Sequence, residues 1–129
     1  MPEIPDNRKH ILVVDDQPFI AKLIEFNLDQ AKYQIDYCRD PEAALIRLKT
    51  APPDLLITDV CMPKITGPEL CRQARQSLQL EEMPIIILTS RWDTATTTEA
   101  IISGASAFMT KPFSPRELAA KVAALLGET

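Results

Sequence analysis

The chain has 129 residues, enough for one domain with a sizeable core and too few for two. Hydrophobic residues make up 46 % and charged residues 25 %, which is globular usage and excludes a disordered chain. Eighteen acidic against 14 basic side chains leave a net charge of −4, a poor grip for a phosphate backbone, so this chain is not expected to bind nucleic acid.

Eleven prolines and three glycines cut the chain into short alternating segments. Ile11 to Val14 is a β-branched apolar run too short for a helix, and it predicts a buried strand ending in Asp15-Asp16. Pro18 suits the first turn of a helix, and Ile20, Leu23, Ile24 and Leu28 follow as its apolar stripe. Tyr33 to Cys38 predicts a second, weaker strand. Asp40-Pro41 opens the next helix, with Ala44, Leu45 and Leu48 inside, and Pro52-Pro53 stops it. Leu55 to Asp59 is a third strand, again ending in an aspartate. After a loop from Val60 to Gly67, Pro68 starts a helix with Leu70, Cys71, Ala74 and Leu78 inward. Ile85 to Thr89 is the most hydrophobic strand. A helix follows from about Thr94 to Ser103, closed by Gly104, then a short strand from Ser106 to Met109. The last helix runs from Ser114 to Leu126 with Leu118, Val122, Leu125 and Leu126 inside. Thr94, Thr96, Thr97 and Thr98 crowd the start of the fourth helix, where threonine is a poor helix former. With few apolar anchors such as Ile101, that helix should be marginal.

No apolar run approaches the roughly 20 residues of a membrane span, and the polar start from Met1 to Lys9 does not read as a signal peptide. Cys38, Cys61 and Cys71 form no C-x-x-C pair and read as buried or half-buried free thiols of a reducing cytoplasm. With His10 as the single histidine, they do not make a zinc site.

Strict βα alternation with continuous apolar strands predicts an α/β fold, a doubly wound five-stranded parallel sheet covered on both faces. Right-handed crossovers leave two doubly wound orders, of which 2-1-3-4-5 is the usual one at this size. Ligands in such sheets sit beyond the carboxyl ends of the strands, where the order reverses. Asp15, Asp16, Asp59, Thr89 and Lys111 all fall at those ends. Singly, each has a dull explanation: Asp15 or Asp16 as a helix cap, Asp59 in a turn, Thr89 as a β-branched strand residue, Lys111 as a solvated charge. Together, three acids at one sheet edge repel unless a cation joins them. The oxygen-only ligands fit Mg²⁺. A carboxylate beside Mg²⁺ and a lysine suits attack on phosphorus, with Lys111 and Thr89 left to bind phosphoryl oxygens. The chain lacks the glycine-rich loops that cradle nucleotides.

These features resemble the receiver domain of two-component response regulators, from about Lys9 to Leu126. The matching motifs are Asp15-Asp16, Asp59-Val60-Cys61-Met62-Pro63, Gly67, Thr89 and Lys111-Pro112-Phe113. The resemblance implies a flavodoxin-like (βα)5 fold, with residues 1–8 a polar leader and 9–129 a single receiver domain. It implies that Asp59 accepts a phosphoryl group from a histidine kinase or phosphotransfer protein. Asp16, Asp59 and the backbone carbonyl of Cys61 would hold Mg²⁺ directly, and Asp15 through water. Lys111 would pair with the phosphoryl group, and Lys111-Pro112 would be a cis bond. Thr89 and Phe108 would form the switch pair, altering the face of helix 4, strand 5 and helix 5 toward an output protein or effector domain. A phosphorylation-dependent dimer fits the same scheme. The protein would be a signalling phosphoacceptor rather than an enzyme, located in the cytoplasm.

This sequence departs from the family pattern in a few places. Ser90 stands where Ala or Gly is usual, and Phe108 where Tyr is common. Cys61 and Arg91 occupy variable positions and are expected to shape hydrolysis of the acyl phosphate, while Trp92 reads as a loop residue. Two other readings compete. A pseudo-receiver, acting without phosphorylation, would lack an acid or the lysine, and none is missing here. A phosphatase of the haloacid dehalogenase type would carry D-x-D where this chain has Asp59-Val60-Cys61, and 129 residues leave no room for its cap.

Overall fold

The computed structural model describes residues 7–90 and 94–127. The first strand, β1 (Lys9–Val14), leads into α1 (Pro18–Asn27), then β2 (Tyr33–Cys38) and α2 (Pro41–Thr50). β3 (Leu55–Asp59) precedes α3 (Gly67–Arg72), which continues directly into a π-helical turn over Gln73–Ser77. β4 (Ile85–Thr89), α4 (Thr94–Ile102), β5 (Ala107–Thr110) and α5 (Pro115–Leu125) complete the chain. The five strands pair in parallel in the order β2-β1-β3-β4-β5, as the alternation predicts.

Alternation along the strands divides the core into two layers. Ile11, Val13, Ile57, Ile86 and Leu88 face α1 and α5, meeting Ile20, Ile24, Leu118 and Val122. Leu12, Val14, Leu56, Ile85 and Ile87 face the other helices, meeting Ala44, Leu48, Leu70, Ala74 and Ala100. Both faces of the sheet are covered, which is why its central strands are apolar without interruption.

Helix starts follow local chemistry. Proline occupies the first turn of α1, α2, α3 and α5, where its missing N–H costs nothing. Asp40 caps α2 by accepting from the Glu42 N–H at 2.9 Å. Thr66 and Ser114 cap α3 and α5, accepting from Glu69 and Glu117 three residues on. Gly104 ends α4 at φ +99°, the left-handed geometry its position requires.

Several expectations need correction. β1 begins two residues before Ile11, and β5 lies one residue later than predicted because the Ser106 hydroxyl accepts from the Ile85 N–H at 3.0 Å. The helix after Pro68 is not uniform. Its π turn carries Arg75, whose guanidinium donates to the carbonyls of Gly104, Leu80 and Met83, in the segments leading into β4 and β5. Leu23 is 43 % exposed and Ile101 61 % exposed, so neither anchors its helix; Ala100 is the buried apolar residue of α4. The Cys61 thiol is exposed rather than buried. Leu78, Leu125 and Leu126 pack only at the core margin. Residues 1–6, Arg91, Trp92 and the side chains of Thr94, Thr96 and Thr97 lie outside what is described. Among the described residues, no helix is long and apolar enough to cross a membrane.

Candidate functional site

Parallel pairing sets the strand ends side by side. Val14 lies opposite Thr58, Asp59 opposite Leu88, and Thr89 opposite Thr110, so the residues that follow collect at one edge. Asp15 and Asp16 leave β1, Asp59 ends β3, Thr89 ends β4, and Lys111 follows β5. Asp15, Asp59 and Thr89 are buried, Lys111 is half-buried and Asp16 is exposed. One carboxylate oxygen from each of Asp15, Asp16 and Asp59 lies within 4.8 Å of the others. The Lys111 Nζ bridges two of them, at 2.8 Å from Asp15 Oδ2 and 3.2 Å from Asp59 Oδ1. The 96-residue separation between Asp15 and Lys111 is closed entirely by the fold.

Asp15 is held on every side. Its Oδ1 accepts from the Gln17 N–H at 2.9 Å, a turn that leads into α1. Its backbone carbonyl accepts from the Tyr37 hydroxyl at 2.6 Å. Asp59 Oδ1 also accepts from the Val60 N–H at 3.0 Å. The Lys111 N–H donates to the Thr89 carbonyl at 2.7 Å, fixing the start of the loop that carries the ammonium, and the Lys111-Pro112 bond is cis.

Charge decides how the group behaves. Burial pushes the Asp59 carboxyl above its ordinary range; Lys111 opposes the shift without cancelling it, and Asp15 adds to it. Burial alone would lower Lys111, but the hydrogen bond to Asp15 and the charge of Asp59 outweigh it and hold the ammonium above its ordinary value. One cation shared by two acids therefore stays charged, while Asp59 remains undercompensated. Burial and then Asp15 raise the Tyr37 hydroxyl, which keeps it a donor at neutral pH.

The donors are all oxygens, three carboxylates converge with one cation, and Asp16 opens to solvent, an arrangement that fits a hard divalent cation. An open cleft of about 410 Å³ beside Asp16 is lined by Arg39, Asp40, Pro41, Pro63 and Lys64. On the far side of β5, Phe108 is half-buried and lines a second cleft of about 380 Å³ with Ile101, Ala105 and Lys121. Of the site residues read from the sequence, Asp15, Asp16, Asp59 and Lys111 bring their side chains together, Thr89 adjoins them through its backbone carbonyl, and Phe108 lines its own cleft. Tyr37 was not among them. Its place on the strand next to β1, opposite Val13, was the available signal.

The undercompensated charge on Asp59 has a measurable consequence. Because folding raises its pKa, the folded chain binds the proton more readily than the unfolded chain. Stability therefore falls as pH rises from the ordinary value of 3.8 through the raised folded value. Asp59→Asn cannot ionise, so it should melt at a higher temperature than the native chain near pH 7. The gain should shrink toward about pH 4. Calorimetric scans at both pH values check this, and a variant that melts lower near pH 7 contradicts the charge balance.

Comparison with known proteins agrees with this geometry. The response regulator receiver domain profile matches residues 11–123. The alkaline phosphatase synthesis transcriptional regulatory protein PhoP of Bacillus subtilis is 42 % identical over 118 residues, covering 92 % of this chain and 48 % of that protein. The phosphate regulon transcriptional regulatory protein PhoB of Rhizobium meliloti is 39 % identical over 116 residues, covering 90 % and 51 %. The chain thus spans about half the length of these curated relatives. A putative response regulator from Chloroflexus aurantiacus superposes with a TM-score of 0.86 at 33 % identity, covering 94 % of this chain and 99 % of that one. The chemotaxis response regulator CheY4 of Vibrio cholerae follows at 0.83 and 30 %, covering 92 % and 98 %. A flavodoxin-like sheet with an acidic triad bridged by a lysine, matched along nearly its whole length, makes this chain a member of the response regulator receiver domain family.

Proposed function

We propose that the domain is a phospho-accepting switch with Asp59 as its acceptor. An Asp59 carboxylate oxygen attacks phosphorus, the P–N bond of a donor phosphohistidine on a histidine kinase or phosphotransfer protein breaks, and the imidazole leaves. Asp16, Asp59 and the backbone carbonyl of Cys61 would hold Mg²⁺, with Asp15 acting through water; the bound ion supplies the positive charge that lets a phosphoryl anion approach the carboxylates. Lys111 then pairs with one phosphoryl oxygen, and the Thr89 hydroxyl donates to another. The observation that carries this reading is the Lys111 bridge, with one ammonium 2.8 and 3.2 Å from two acids that the fold buries together.

Output is read on the face of α4, β5 and α5. Thr89 moves toward the phosphoryl group and Phe108 turns into the space it leaves, which changes the surface offered to an output protein, an effector domain or a second copy. Exposure of Ile101 and Ile102 on α4, at 61 % and 71 %, supports a contact surface there. Three free thiols suit the reducing cytoplasm as its compartment.

Incubation with acetyl phosphate and Mg²⁺ should add one phosphoryl group by mass, and chelation should prevent it. Uptake at unchanged stoichiometry by Asp59→Asn would refute the assignment, and no uptake by the native chain would favour a phosphorylation-independent module.

A further inference from the structure

Tyr37 lies next to the carboxyl end of β2, on a strand that supplies none of the acids or the lysine, and its hydroxyl reaches into the acidic loop. It donates to the backbone carbonyl of Asp15 at 2.6 Å. That carbonyl belongs to the peptide joining Asp15 to Asp16. A peptide is planar, so fixing its oxygen also fixes the nitrogen from which Asp16 continues.

The two acids differ in what else holds them. The Asp15 side chain is buried and tied to Lys111 at 2.8 Å and to the Gln17 N–H at 2.9 Å. Asp16 is exposed and lines the open cleft beside Arg39 and Lys64. Nearby, the ladder from β2 gives weak support, since the Asp15 N–H reaches the Cys38 carbonyl at 3.3 Å, beyond the ordinary range for such bonds. The short Tyr37 bond is therefore the firm tie between the edge strand and the peptide that sets the direction of Asp16. The Tyr37 ring packs against the apolar layer shared with α1, so the hydroxyl is aimed by a side chain that is itself held.

We propose that Tyr37 is a positioning residue for the cation site: its hydroxyl locks the Asp15–Asp16 peptide so that the Asp16 carboxylate faces the oxygen cluster. This rests on the reading of the acidic triad as a Mg²⁺ site. A group of this kind acts through the ligand it orients, and its loss weakens metal binding even though it touches no metal.

Tyr37→Phe keeps the ring and removes only the hydroxyl. Mg²⁺ alone is titrated into the full chain and followed by calorimetry and by the backbone amide signals of Asp16 and Gln17. The variant is expected to bind Mg²⁺ about tenfold more weakly, and those amide signals should shift before any metal is added. Cys38→Ser is the control, because Cys38 packs on the opposite face of the sheet and should leave the affinity as it was. Binding by Tyr37→Phe within about twofold of the native chain, whatever its melting temperature, overturns the proposal, as does an equal loss in Cys38→Ser. If the native chain itself takes up no Mg²⁺, the reading of the triad fails instead.

Discussion

Gly67→Ala is expected to lower the melting temperature by roughly 10 °C and to slow phosphoryl uptake at Asp59. A Cβ at position 67 falls inside the van der Waals shell of the Asp59 carbonyl oxygen and 3.0 Å from the Val60 Cα. Both are backbone atoms, so no side-chain rotation relieves the overlap. The Gly67 N–H also donates to the Val60 carbonyl at 3.0 Å, which fastens the start of α3 to the end of β3. The loop must therefore move away from the strand and take the Asp59 peptide with it. Overpacking of this kind costs up to about 3 kcal/mol. Thermal melts and the rate of uptake from acetyl phosphate read the two effects separately. A variant with native values for both would mean that the close approach is not what holds the loop.

Lys111→Met is the second large expected effect, a loss of about 3 kcal/mol near neutral pH. Methionine fills similar space, so the loss comes from charge. Asp15 is fully buried and keeps the Gln17 N–H, but it loses the ammonium at 2.8 Å, while Asp59 loses its opposing cation. Lys111 has a raised folded pKa, so its contribution is complete below its ordinary value of 10.5 and is lost as pH rises through the folded value. The native advantage thus holds across the neutral range. It should narrow in acid as the carboxylates of the variant take up protons. Added Mg²⁺ should stabilise the variant more than the native chain, because it replaces the missing charge. Urea unfolding near pH 7 and near pH 4, with and without Mg²⁺, tests each part. Equal midpoints near pH 7 would contradict the bridge.

The strands β2, β3 and β4 match their predicted bounds because turn residues and charges bracket each apolar run. The site was legible for the same reason. Asp59 and Thr89 end β3 and β4, Asp15-Asp16 and Lys111 directly follow β1 and β5, and a parallel sheet puts all of these on one edge. What sequence pattern did not resolve lay in the contacts between elements. α4 carries apolar residues on two faces, and in the fold small Ala100 joins the core layer that holds Cys71 and Ala74 while Ile101 stays outside. The π turn after α3 has no periodic signature. It accompanies an Arg75 that reaches the nearby carbonyls of Leu80 and Met83 and, 29 residues on, that of Gly104. Tyr37 escaped because its ring reads as an ordinary strand residue, while its hydroxyl acts on a backbone atom of the neighbouring strand's loop.

The contact between Asp15 and Lys111 also orders events as the chain folds. Its 96-residue separation makes it one of the most distant pairings in the molecule, and contacts of that span form after local ones because closing so long a loop costs entropy first. Until β5 docks beside β4, the carboxyl edge of the sheet carries its acids without their lysine. β5 therefore completes both the hydrophobic layers and the charge balance. A sheet formed only as far as β4 would carry an acidic edge that repels itself, which raises its free energy relative to the finished domain and favours all-or-none assembly.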